Sequence, residues 1–173
     1  GLLMSSRPVV PAIAWIESLG SAADLAQRVE QEKSRFVGTE LKGKTLGVIG
    51  LGAIGILVAN LAVELDMQVV GYDPYISVDA AWKLSRQVRH AESLEAVLKT
   101  ADYVTIHVPL TPQTKNLIAA SQLKLMKTGA VLLNFARGGL VQEDAVLAAL
   151  AARQIRGYVT DFPSPALAGK RGV

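Results

Sequence analysis

KTLGVIGLGAIGILVANLAVELDMQVVGYDP, residues 44–74, decides the fold. An apolar run with strand character (Thr45 to Ile49) meets the turn Gly50-Leu51-Gly52-Ala53-Ile54-Gly55, a G-x-G-x-x-G. A helical run follows, in which Ile54, Leu57, Val58, Leu61 and Leu65 recur at helical spacing. The stretch closes with a second strand, Gln68 to Asp73, that ends in an acid before Pro74. Each glycine has a physical task in this order. Gly50 allows the tight turn, Gly52 leaves room for a pyrophosphate against the backbone, and Gly55 lets the helix pack closely on the sheet. The N–H groups of Ala53 and Ile54 then open the helix, where unpaired donors and the positive end of the macrodipole suit a diphosphate. Asp73 lies 18 residues beyond Gly55, close to the ~20 expected of the carboxylate that accepts from an adenosine ribose. That carboxylate, flanked by Tyr72 and Pro74, repels a 2′-phosphate and so favours NAD over NADP.

From Leu46 to Val63 the only strongly polar side chain is Asn60, a pattern that could be taken for a membrane span. Four of those residues are glycines, and charged sequence follows on both sides, so a buried strand-turn-helix is the better reading.

The 173 residues suffice for one domain with a substantial core. A hydrophobic content of 50% fits a parallel sheet covered on both faces. Eighteen basic against fifteen acidic side chains, scattered, leave no nucleic-acid footprint. Lys83, Arg86 and Arg89 are the nearest thing to a patch and read as solvated surface. The absence of cysteine excludes a disulfide framework, a thiolate metal site and a cysteine nucleophile, and is compatible with the cytoplasm. No metal, membrane or nucleic-acid partner is expected.

Outward from the glycine turn, residues 1–36 have helical character, with Ile13, Ile16, Leu19, Leu25 and Val29 on one apolar face and a break near Gly20. Downstream come a short strand near Val88, a helix capped by Ser93, and a strand Asp102 to Pro109. A loop over 111–116, a short helix over 121–126, a strand Ala130 to Phe135, a helix Val141 to Arg153 and a last strand Ile155 to Asp161 complete the order. Alternating strands and helices imply right-handed crossovers and an α/β doubly wound parallel sheet of about six strands with helices on both faces. Ligands of such a sheet sit beyond the carboxyl ends of its strands. The informative positions are therefore Gly50, Asp73, His107 to Pro109, Asn134 to Arg137, and Asp161. Arg137, set before Gly138-Gly139 at a strand end, offers a planar fork that matches a carboxylate and can polarise a carbonyl.

Together the glycine turn, Asp73, HVPLTPQT (107–114), LLNFARGGLV (132–141) and YVTDF (158–162) resemble the nicotinamide-binding, Rossmann-type domain of the D-2-hydroxyacid dehydrogenases. Within that family VGTELKGKTLGVIGLGAIG and GYDPYISVDAAW are most similar to bacterial D-3-phosphoglycerate dehydrogenases. The resemblance implies NAD as cofactor, with Ala53 and Ile54 at the pyrophosphate and Asp73 at the adenosine ribose. His107, Val108, Pro109 and Thr114 would line the adenosine and nicotinamide side. Phe135 and Ala136 would pass beneath the nicotinamide ribose, and Asp161 would hold the carboxamide. Arg137 would be the catalytic arginine on the substrate carboxylate and carbonyl.

It also implies a layout: a helical segment at 1–36, the NAD-binding domain at 37–162, and at 163–173 the start of a connection to a substrate domain. A homo-oligomer is expected. Two departures matter. The family's catalytic histidine lies on a segment beyond Val173, and neither His90 nor His107 stands in its place. The partner glutamate is expected about five residues after Asp161, where this chain has Ala166. The chain alone is therefore expected to bind NAD without turnover. A glyoxylate or hydroxypyruvate reductase is the alternative within the family. A methyltransferase shares the glycine turn and the acid but has no use for the 134–138 block, and an NAD-sensing corepressor module is the alternative outside enzymes.

Overall fold

The computed structural model describes residues 1–21, 23–162, 164–170 and 172. The expected connection at 163–173 thus has Pro163, Arg171 and Val173 outside the described residues. Two compact units are present, Gly1–Leu41 and Lys42–Val173.

The first unit carries α1 (Leu2–Ser6), α2 (Val9–Leu19), α3 (Leu25–Glu32) and a 3-10 turn at Lys33–Phe36. The break after Leu19 falls where Gly20, at φ +57, adopts a conformation that side-chain-bearing residues avoid. Trp15 meets Phe36 with ring centroids 5.0 Å apart. No described residue of α2 or α3 is buried, so the apolar face expected over Ile13 and Ile16 stands in contact with solvent.

The second unit is a six-stranded sheet: β1 (Thr45–Ile49), β2 (Gln68–Tyr72), β3 (Val88–His90), β4 (Tyr103–Ile106), β5 (Ala130–Asn134) and β6 (Ile155–Thr160). The order is β3-β2-β1-β4-β5-β6, and every pairing is parallel. This is the doubly wound arrangement, and its order reverses between β1 and β4. β1, β4 and β5 are buried along their whole length, as strands covered on both faces must be.

The helices are α4 (Ala53–Glu64), α5 (Val78–Ala81), α6 (Leu94–Thr100), α7 (Ala120–Leu125) and α8 (Glu143–Ala151). Ser93 caps α6 by accepting from the Ala96 N–H at 3.1 Å, as expected, and Ser77 caps α5 in the same way. Residues of α6, α7 and α8 share one buried cluster with Ile49, Val104, Ile106 and Leu132. None of the buried residues of α4 belongs to that cluster. Because alternate residues of a strand face opposite ways, Leu46 and Val48 point to the other face, where α4 packs on β1 and β2.

The helix α4 shows what its pattern concealed. Its buried face is Gly55, Ile56, Ala59, Ala62 and Val63, whereas Ile54, Leu57 and Leu61 are 62%, 65% and 61% exposed. Three of these five buried residues are small: Gly55, Ala59 and Ala62. They let the helix axis come close, which pushes the bulky stripe to the outside.

Candidate functional site

The register aligns the strand ends. Tyr72, Ile49, Ile106, Asn134 and Thr160 are lateral neighbours, so Asp73, Gly50, His107, Phe135 and Asp161 follow in one row along the carboxyl edge. Four inter-strand steps separate the ends of that row, roughly 19 Å at the usual strand spacing. Residues from five separate stretches of chain are thus brought onto one edge.

At the switch point Gly50 has φ +92, and its N–H donates to Tyr72 O at 2.9 Å. A Cβ there would lie 2.8 Å from the carbonyl carbon of His107. At Gly55 a Cβ would lie 1.9 Å from Gly50 O, so this residue fixes how closely α4 sits on the turn. Gly52 differs: nothing lies within 4 Å of its added Cβ. It is the one open glycine of the three. No side chain caps the first turn of α4, which Ala53 and Ile54 begin, and uncapped N-terminal donors of this kind are suited to an anion.

Asp73 is fixed by two backbone donors. Its Oδ2 accepts from Leu51 N at 2.8 Å and its Oδ1 from Tyr75 N at 2.9 Å. The first bond ties the end of β2 to the glycine turn. The Leu51 side chain lies against Gly71, and Leu51, Ile76, Leu84 and His90 line a small cavity beside Asp73. Tyr72 is half-buried and Pro74 exposed at this edge. The N–H of Leu51 was not legible as a site group, since it is a main-chain atom of a residue chosen for packing.

His107 and Val108 are half-buried and Pro109 is exposed; all three lie beyond β4, which ends at Ile106 rather than at the proline. Burial disfavours the charged ring and lowers the His107 pKa; its Nε2 lies 3.0 Å from Thr105 Oγ1. The Thr114 hydroxyl is already committed: it donates to Pro109 O at 2.6 Å and accepts from Thr111 N at 2.8 Å. It closes the loop rather than pointing a free donor at the edge. The loop is then stitched to the next one, through Asn116 N on Gly139 O at 2.9 Å and Ile118 N on Leu140 O at 3.0 Å.

Beyond β5, Phe135 is 43% exposed, Ala136 is half-buried and Arg137 exposed. Arg137 Nη1 donates to Ala136 O at 2.6 Å, so the guanidinium folds back on its own loop. Beneath them Asn134 is fully buried. Its Nδ2 donates to Arg137 O at 2.9 Å and to Tyr158 Oη at 3.3 Å, and its Oδ1 accepts from Ala136 N at 3.2 Å. Asp161 is exposed at the end of β6. His90 is exposed on β3 and Ala166 on the segment after β6, where Ser164 Oγ donates to Glu143 Oε2 at 2.7 Å. No group of three or more acidic, histidine or cysteine side chains able to hold a metal is present among the described residues. No described helix is long and apolar enough to cross a membrane.

The sequence profile of the D-isomer specific 2-hydroxyacid dehydrogenase, NAD binding domain, matches residues 10–168. A D-3-phosphoglycerate dehydrogenase of Methanocaldococcus jannaschii is 42% identical over 149 residues, covering 86% of this chain and 28% of that protein. The chloroplastic D-3-phosphoglycerate dehydrogenase 2 of Arabidopsis thaliana is 37% identical, covering 87% of this chain and 25% of that protein. The chain therefore spans about a quarter of the length of these relatives. Among solved structures, D-lactate dehydrogenase of Aquifex aeolicus, complexed with NAD and lactic acid, superposes with a TM-score of 0.78 at 30% identity, covering 95% of this chain and 45% of that one. Rhodotorula graminis D-mandelate dehydrogenase gives 0.78 at 27% identity, covering 99% of this chain and 51% of that one.

Proposed function

The chain belongs to the D-isomer specific 2-hydroxyacid dehydrogenase family, as its NAD binding domain, and from that premise we propose the residues that hold NAD and the reaction of the parent enzyme. The observation that carries the proposal is the Leu51 N–H bond to Asp73. It sets a carboxylate beside the one open glycine of the turn, Gly52, which is the pairing a ribose and a pyrophosphate ask for. Gly50, Gly52, Ala53, Ile54 and Gly55 would carry the pyrophosphate, and Tyr72, Asp73 and Pro74 the adenosine ribose. His107, Val108, Pro109 and Thr114 would form the wall across the crevice. Phe135, Ala136 and Arg137 would lie under the nicotinamide half, with Asp161 at its carboxamide.

For the parent we propose oxidation of 3-phosphoglycerate to 3-phosphohydroxypyruvate, at the entry to serine synthesis. The relatives named D-3-phosphoglycerate dehydrogenase support this substrate. A different 2-hydroxy acid is the second reading, favoured by the likeness to lactate and mandelate dehydrogenases, and a glyoxylate or hydroxypyruvate reductase falls under it. When bound, the nicotinamide supplies the hydride acceptor. Arg137 would turn from Ala136 O to grip the substrate carboxylate with its fork, leaving C2 facing the ring. The proton-transferring group and most of the substrate contacts would come from the substrate domain. The outward stripe of Leu57 and Leu61 on α4 supports a homo-oligomer. The lack of cysteine is compatible with residence in the cytoplasm.

Calorimetric titration with NADH and with NADPH, in the wild type and in Asp73→Ala, tests the site. We expect NADH to bind selectively and the variant to lose both affinity and selectivity. Equal binding of the two nucleotides by the wild type, or an unchanged preference in the variant, would remove Asp73 from the site.

A further inference from the structure

We propose that Asn134, seated on Tyr158, is a positioning residue for the nicotinamide half of the site. The inference rests on the reading above that residues 135–137 lie under that half. Asn134 is the last residue of β5 and the only buried amide side chain among the described residues. Its three polar contacts are the Ala136 N–H, the Arg137 carbonyl and the Tyr158 hydroxyl. Two of them hold the main chain of the loop itself.

A loop leaving a central strand would ordinarily lose its hydrogen bonds and wander. Here a side chain replaces the missing ladder for two residues. Tyr158, itself almost fully buried on β6, receives the second N–H of the amide and fixes its rotamer. The amide oxygen is thereby committed to Ala136, and the nitrogen to Arg137. The device holds the bend at Ala136, after which Arg137 is extended at φ −157. Phe135 and the Arg137 side chain are thereby directed to the exposed edge. None of the three hydrogen bonds of Asn134 reaches the pyrophosphate turn, so the adenosine half should not sense its loss.

That separation supplies the test. The wild type, Asn134→Ser and Tyr158→Phe are titrated with NADH and with ADP, which carries the adenosine and diphosphate but no nicotinamide half. We expect Asn134→Ser to weaken NADH about tenfold, as for two lost hydrogen bonds, and to leave ADP within about twofold. Tyr158→Phe removes only the longest of the three bonds, and a change within about threefold for both ligands is expected. Parallel weakening of NADH and ADP in Asn134→Ser would show a merely structural role and overturn the proposal. A wild type that binds ADP and gains nothing from NADH would instead sink the underlying assignment of residues 135–137, and the proposal with it. Should Asn134→Ser not fold, the Ala136 amide of the wild type decides. Slow solvent exchange that NADH slows further, and ADP does not, supports the brace; free exchange with NADH bound overturns it.

Discussion

Gly55→Ala is the substitution for which the structure makes the sharpest demand. The added Cβ would stand 1.9 Å from Gly50 O and 3.0 Å from its carbon, so the contact must open by more than about 1 Å before it becomes even tight packing. Gly50 cannot yield. Its positive φ, its N–H bond to Tyr72 O and the His107 main chain beneath it hold it in place. The start of α4 must therefore lift from the sheet. Overpacking of this kind costs about 1–3 kcal/mol, and a backbone obstacle places it at the upper end. For a chain of this size that is a fall in Tm of roughly 5–10 °C. The same lift carries the Ala53 and Ile54 donors away from the turn, so NADH affinity should fall more than about tenfold. Gly52→Ala is the control. Its Cβ meets nothing, its cost as an N-cap is at most about 1 kcal/mol, and yet it should block NADH. Urea unfolding and NADH titration of the two variants, side by side, give the answer. A Gly55→Ala protein as stable as wild type and equally tight for NADH would refute the packing argument.

Three further outcomes follow from packing and charge. Asp102 is shielded from water, which raises its pKa, but the Thr45 N–H and the Lys127 ammonium outweigh this and lower it overall. Its stabilisation is present above the ordinary carboxylate pKa of about 3.9 and is lost as pH falls through the depressed value; in urea titrations Asp102→Asn should flatten that acid limb. Burial lowers the His107 pKa, so the unfolded chain takes up this proton before the folded one. Stability should decline as pH falls below about 6.5, and His107→Gln should remove that part of the slope. On α4, Leu61→Lys should change stability by less than about 0.5 kcal/mol, whereas Ala62→Leu on the sheet-facing side should cost about 1–3 kcal/mol. Equal costs in thermal melts would refute this orientation of the helix.

The alternation of strands and helices, the glycine turn and the acid after β2 were all legible, because each depends on local periodicity or on one residue's steric freedom. Ser93 announced its helix for the same reason, since a cap acts within three residues. The orientation of α4 was not legible. Large apolar residues repeat at helical spacing on one stripe and small ones on another, and either could face a core. Only the sheet chooses, since it accepts Ala59 and Ala62 at a distance that would exclude Leu57 and Leu61.

The chain order alone determined that Gly50, Asp73, His107, Phe135 and Asp161 follow the strands and so share one edge. Local sequence carries that much, because a parallel sheet puts every strand's carboxyl end on the same side. Tertiary structure decided what each end group is free to do. It bound Asp73 to the glycine turn across 22 positions of sequence and committed the Thr114 hydroxyl to its own loop. It also turned Asn134, one of the strand-end positions, into a brace beneath Arg137 with Tyr158 as its support. Hydrogen bonds between residues distant in sequence depend on strand register, and register exists only once the sheet has formed.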